Sequence, residues 1–179
     1  TMKTTQSLRT IFEQALLARA AYANLAAVLF EETSGAYLGE LQQVMPAAVA
    51  SYVAANFGVV HHRVDTSSGY SGTLFRRRSV SPGDPSNGFT LSIRGTEFLD
   101  WHDLFVADIW QIGLTGVAWD QRRQTSAHWD GLISSTSGFI DDPTVRGQLA
   151  ASDVNVAGHS LGGLLTVFFA NDRPPAHGG

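Results

Sequence analysis

Near the end of the sequence a short apolar strand, Asp153-Val154-Asn155-Val156-Ala157, runs directly into Gly158-His159-Ser160-Leu161-Gly162-Gly163 and then into a strongly apolar helical stretch reaching Ala170. A strand that turns into a helix over so few residues brings the two elements to backbone contact. Glycine at 158 and 162 removes the side chains that would collide there. The residue between them, Ser160, is lifted beyond the end of the sheet. Its hydroxyl then faces the N-terminus of the following helix, where unbonded N–H groups and the positive dipole end favour a developing oxyanion. The Leu161 N–H is the candidate donor, and Gly158, His159 and Gly162 complete the elbow.

Elsewhere the hydrophobic spacing predicts a helix over about Ser7 to Phe30 (Leu8, Ile11, Phe12, Ala15, Leu16, Tyr22) and a second from Gly39 to Asn56, kinked or divided at Pro46. Gly58–Val64, Gly72–Val80 and Phe89–Arg94 read as strands, separated by loops rich in Gly, Pro, Ser and Asp. A helix is expected over Trp101–Ile112 and another over Pro143–Ala150, while Gly113 to Thr136 shows no clear pattern. Strands alternating with helices predict an α/β fold with a mostly parallel sheet flanked by helices. The 179 residues read as one domain, the N-terminal part of such a fold, helical over 1–57 and carrying sheet and elbow over 58–179.

Composition narrows the chemistry. The chain has no cysteine, so a nucleophile must be an oxygen or an amine, and no metal site can rest on thiolates. A net charge of -4 gives no basic footprint for nucleic acid, and no apolar run is long enough to span a bilayer. No metal or other cofactor is expected. Thr1-Met2-Lys3 shows no basic segment ahead of an apolar one, so no leader is read there.

The second informative segment is Ile93-Arg94-Gly95-Thr96-Glu97, a strand that stops at Gly-Thr, followed by Phe98-Leu99-Asp100-Trp101-His102-Asp103-Leu104. Such a strand end is where an ester hydrolase places its other oxyanion donor, and Thr96 offers both N–H and hydroxyl. Taken together, "RGTE" with "DWHDL" (Arg94 to Leu104) and "VAGHSLGG" (Val156 to Gly163) resemble the class 3, fungal-type lipase group of the α/β-hydrolase superfamily, in particular its bacterial lipases and phospholipases. "FVADIWQIGLTGVAWDQ" (Phe105 to Gln121) is similar to the stretch that follows the first motif in some bacterial members, and Ser137-Gly138-Phe139 to a further Gly-Phe element. The resemblance spans residues 89 to 170. It implies Ser160 as nucleophile, Thr96 and the Leu161 N–H as oxyanion hole, a mobile lid near Trp101 to Leu104, a lipid or other carboxylic-ester substrate, contact with a lipid interface, and secretion, with the cytoplasm as the other location.

A serine nucleophile needs a base, and in this fold family the acid and the histidine follow it in the chain. Asp172 and His177 stand in that order, but Asp172 lies about 18 Å along the helix from the elbow, and His177 sits in a Pro-Pro-Ala-His-Gly-Gly tail with no strand to hold it. The triad Asp and His are therefore expected in a further C-terminal part of the fold. His61 and His62, adjacent in a strand, face opposite sides, and Arg76-Arg77-Arg78 reads as a solvated edge feature. His102 and His128 precede the serine, against the family's order. Two functions follow: a serine ester hydrolase forming an acyl-enzyme on Ser160, or an incomplete hydrolase-fold piece acting as a binding module. Either way Val154 to Val156 should lie deep in a sheet, and a complementing chain or self-association is expected to cover the apolar face of Leu164, Leu165, Phe168 and Phe169.

Overall fold

The computed structural model describes residues 8–26, 35–64, 69–80, 82–84, 86–95 and 117–172. Six helices and four strands lie among them, in the order α1 (Leu8–Ala20), α2 (Gly35–Val44), α3 (Ala47–Asn56), β1 (Phe57–Arg63), β2 (Ser71–Arg77), β3 (Phe89–Arg94), α4 (Val117–Ile133), α5 (Pro143–Ala150), β4 (Asn155–Gly158) and α6 (Leu161–Asp172). The expected helix Trp101–Ile112 falls outside the described residues. Pro46 divides the second predicted helix into α2 and α3, because it cannot donate to the preceding turn. The first helix ends ten residues before Phe30. The N–H groups of Tyr22 and Ala23 turn back onto the carbonyls three residues earlier, Arg19 and Ala20, which tightens and stops it.

The strands form one sheet in the order β1-β2-β3-β4. The α/β class holds, but the expectation of a mostly parallel sheet does not: β1 with β2 and β2 with β3 pair antiparallel, and β3 with β4 alone is parallel. The cause is connection length. β1, β2 and β3 follow one another through loops too short to contain a crossover, whereas β3 and β4 are separated by a segment that includes α4 and α5. β4 also ends the sheet among the described residues, so Val156 is not in its interior as expected.

Both faces of the sheet are covered. Phe75 packs with Phe57, Val59 and the helix residues Leu17, Tyr37, Leu41, Ala50 and Val53, while its neighbour Leu74 packs with Leu91, Ile93, Leu132, Leu149 and Leu165. Successive strand residues point to opposite sides, so α1 to α3 cover one face and α4 to α6 the other. Each fully buried large apolar side chain contributes roughly 1.5–3 kcal/mol to this layering.

The arginine run is not a solvated edge, because β2 lies between two neighbours. Arg76 donates to the Gln148 side chain of α5 at 2.6 Å and its guanidinium lies over the Phe89 ring. Arg77 points to the other face, pairs with Glu13 of α1 and covers the Phe57 ring. Arg78 donates to the Ala54 carbonyl. The run ties β2 to a helix on each side.

The 17-residue helix α4 escapes hydrophobic patterning because its buried stripe is mostly polar: Gln121, Thr125 and His128, followed by Leu132. The spacing of four, three and four residues is helical, but the residue types are not those a periodicity search counts.

Candidate functional site

The parallel pair β3 and β4 ends on one edge of the sheet, with Ile93 opposite Gly158, and the chain leaves both strands there toward Gly95 and Ser160. Strand ends of this kind are the usual place for a ligand in an α/β sheet. Ser160 is exposed and has φ of 57°, in the left-handed region that a serine rarely enters. The turn that imposes this conformation is short: the Gly162 N–H donates to the His159 carbonyl at 3.0 Å and the Gly163 N–H to the Ser160 carbonyl at 2.9 Å.

Three glycines make that turn sterically attainable. A Cβ on Gly158 would run into the backbone of Gly162, and one on Gly162 would run into the Ile93 carbonyl of β3. A Cβ on the buried Gly95 would stand 2.6 Å from the His159 carbonyl and 3.3 Å from the Gly162 nitrogen. Gly163 is different, since its added Cβ would meet Gly158 at an ordinary 3.4 Å. The elbow is thus clamped between β4, α6 and the end of β3. Leu161 opens α6, so its N–H stands in the first turn, where helical amides lack acceptors within the helix.

His159 packs edge-on against Tyr22, with ring centroids 6.2 Å apart and the Tyr22 hydroxyl 3.4 Å from Nδ1. The same hydroxyl lies 3.2 Å from the position a Cβ on Gly95 would take. Tyr22 is therefore a member of the site that spacing did not single out. It stands 137 residues before His159, on the turn that ends α1, and no local pattern in the sequence joins the two.

The carboxylate that follows Ser160 in the chain is committed elsewhere. Asp172, the last residue of α6, receives two hydrogen bonds from Arg122 of α4, at 2.8 and 2.6 Å. His61 and His62 lie on β1, three strand spacings from β4 or about 14 Å, and His61 and His128 bond each other. Thr96, the lid region Trp101 to Leu104 with His102, and His177 lie outside the described residues. Among the described residues no helix is long and apolar enough to cross a membrane, and no group of three or more His, Cys, Asp or Glu is arranged to hold a metal ion. An open depression of about 440 Å³ is lined by Trp119, Arg122, Arg123, Ser126, Ala127 and Asp130, all on α4, and does not include Ser160.

No protein-family model, no curated protein and no solved structure matches this chain.

Proposed function

We propose that the protein is a serine carboxylic-ester hydrolase of the α/β-hydrolase type, lipase- or phospholipase-like, that forms an acyl-enzyme on Ser160. The observation that carries this reading is the exposed Ser160 held at φ of 57° between β4 and α6, with Gly95, Gly158 and Gly162 all in backbone contact around it. A left-handed, non-glycine residue is costly and persists where the surroundings over-determine it, and such positions cluster at functional sites.

In the reaction the Ser160 hydroxyl oxygen attacks the ester carbonyl carbon, its proton passes to a base, and the carbonyl oxygen becomes an oxyanion. The Leu161 N–H at the start of α6 meets that charge, with Thr96 as the second donor. Collapse expels the alcohol, and water then releases the acid from Ser160. The base and its acid come from outside the described residues or from a partner chain. A lipid substrate, an interface contact and secretion belong to this reading through the resemblance of the two motifs, and a complementing chain through the place of β4 at the end of the sheet among the described residues.

A second reading, an incomplete hydrolase-fold piece that binds without hydrolysis, is favoured by the bidentate Arg122–Asp172 pair, which takes the nearest following carboxylate away from catalysis. Intact mass after treatment with a fluorophosphonate separates the two. A single adduct on the native protein, absent in Ser160→Ala, supports the hydrolase, and a release assay with p-nitrophenyl esters of increasing chain length then ranks substrates. A folded protein that takes up no adduct, either alone or in complex with a chain that associates with it, overturns the hydrolase reading in favour of the second.

A further inference from the structure

A pair of bonded imidazoles, one buried and one half-buried, joins the sheet to α4 at β1, the strand at the other end of the sheet from β4. His61 of β1 and His128 of α4 share a hydrogen bond at 3.0 Å between Nδ1 and Nε2, and the Tyr70 hydroxyl lies 2.9 Å from His128 Nδ1. His128 is fully buried and His61 only partly so. Phe139 stacks on His61 with centroids 4.7 Å apart, closing the pair from one side.

Two backbone features build this contact. The β1–β2 register shifts between Val59 and His61, so Val60 is an extra residue and His61 stands opposite Leu74. Without that bulge, His61 would share the face of Phe57 and Val59 and point toward α1 to α3; the extra residue re-aims it at α4. Gly72 supplies the second feature. A Cβ there would stand 2.6 Å from the Tyr70 hydroxyl and 3.1 Å from His128 Nδ1, so only a residue without one leaves room for the three groups to meet.

We propose that His61, His128 and Tyr70 form an acid-released latch that holds α4 on the sheet at neutral pH and lets it go as the medium acidifies, uncovering the apolar outer side of α6. Two neutral imidazoles can share the bond, one donating and one accepting, but two cations cannot. The groups that face the pair from the elements around it oppose a positive charge. Burial and then Arg63 hold His61 below its ordinary value. Burial, followed by His61, Arg63 and His62, pushes His128 down to about 2. Tyr70 is driven far above its usual range by burial and stays a neutral hydroxyl.

The direction follows from linkage. The docked state binds fewer protons than the released one, so docking is at full strength above the ordinary histidine value of about 6.5 and weakens as pH falls below it. What α4 covers is specific: Trp129 packs edge-on against Phe169 at 5.6 Å, and the Arg122 guanidinium lies over Phe168 while bonding Asp172. Releasing α4 bares Phe168 and Phe169 beside the already exposed Leu164 and Val167. This inference does not depend on the hydrolase reading.

Amide hydrogen exchange on the whole 179-residue chain, corrected for the intrinsic pH dependence of exchange, tests it between pH 7.5 and 4.5. The opening constant of α4 amides should rise about tenfold per pH unit below roughly 6.5 for each proton taken up, while amides of β2 and α3 change little down to pH 5. His128→Gln, which can still bond Tyr70 and His61 but takes up no proton at 128, should flatten the α4 response. His61→Gln serves the same purpose if that variant does not fold. A flat α4 response in the native protein overturns the latch. So does a slope shared equally by all elements, or one that survives in the variant.

Discussion

The backbone of Gly95 at the end of β3 lies so close to the His159 carbonyl that a single added methyl group would come within 2.6 Å of it. Two motifs separated by more than sixty residues therefore meet as backbone against backbone, and alanine is excluded at three positions. Gly95→Ala, Gly158→Ala and Gly162→Ala should each destabilise the fold by about 1–3 kcal/mol or more. Gly163→Ala, in the same helix but with ordinary contact distances, should be neutral or gain up to about 1 kcal/mol from helix propensity. Urea midpoints of the four variants decide the matter, and equal losses in all four would contradict the clamp.

Strain at Ser160 predicts a trade between stability and chemistry. A left-handed L-residue costs roughly 1–2 kcal/mol that glycine does not. Ser160→Gly should therefore unfold at higher denaturant than the native protein by that amount while losing all reaction with a fluorophosphonate. Ser160→Ala should lose the reaction without the full gain.

Glu13 is a buried carboxylate on α1 that accepts from Tyr52 at 2.7 Å and Arg9 at 3.0 Å and pairs with Arg77 of β2. Burial works against its charge, but the hydrogen bonds from Tyr52, Arg9 and Arg77 outweigh it and hold its pKa below the ordinary carboxylate value. A carboxylate lowered in this way stabilises the fold fully above its unfolded value, near 4.3, and that contribution disappears as pH falls through the native value. Glu13→Gln should cost about 3 kcal/mol at neutral pH by leaving Arg77 without its counter-ion. The variant should also lose part of the native protein's sensitivity to acid below pH of about 4. Unfolding curves at pH 7 and pH 4 check both the size and the sign.

Asp172 and Arg122 offer a test of the triad. Were Asp172 the acid that orients a catalytic histidine, Asp172→Asn should slow covalent labelling by a factor on the order of 10⁴. Its two bonds to Arg122 assign it instead to holding α4 against α6. Labelling of Ser160 in Asp172→Asn is therefore expected at the native rate, read by mass against time.

Much of the candidate site was legible from residue order. The elbow, its glycines and Ser160 are local: their spacing between an apolar strand and an apolar helix carries the steric argument without reference to any other part of the chain. Phe89–Arg94 as a strand and Pro143–Ala150 as a helix agree to the residue, the latter helped by Asp142, which accepts from the Thr144 and Val145 N–H groups ahead of Pro143. The polar stripe of α4 was hidden for the opposite reason. Thr125 and His128 are buried because each finds a partner, the Gln121 carbonyl for the first and Tyr70 and His61 for the second, and the partners of His128 are a tertiary fact.

By itself the sequence determined most of the elements, α4 excepted, and the tight strand-to-helix turn that carries Ser160, since both follow from side-chain periodicity and the size of a hydrogen atom against a methyl group. Strand direction and pairing, the assignment of Arg76 and Arg77 to opposite layers, the meeting of Tyr22 with His159, and the swing of His61 onto α4 were decided only in the tertiary structure. These depend on which backbone hydrogen bonds close across the sheet. A single extra residue at Val60 reverses the face of every side chain after it, and nothing in the local pattern marks that residue out.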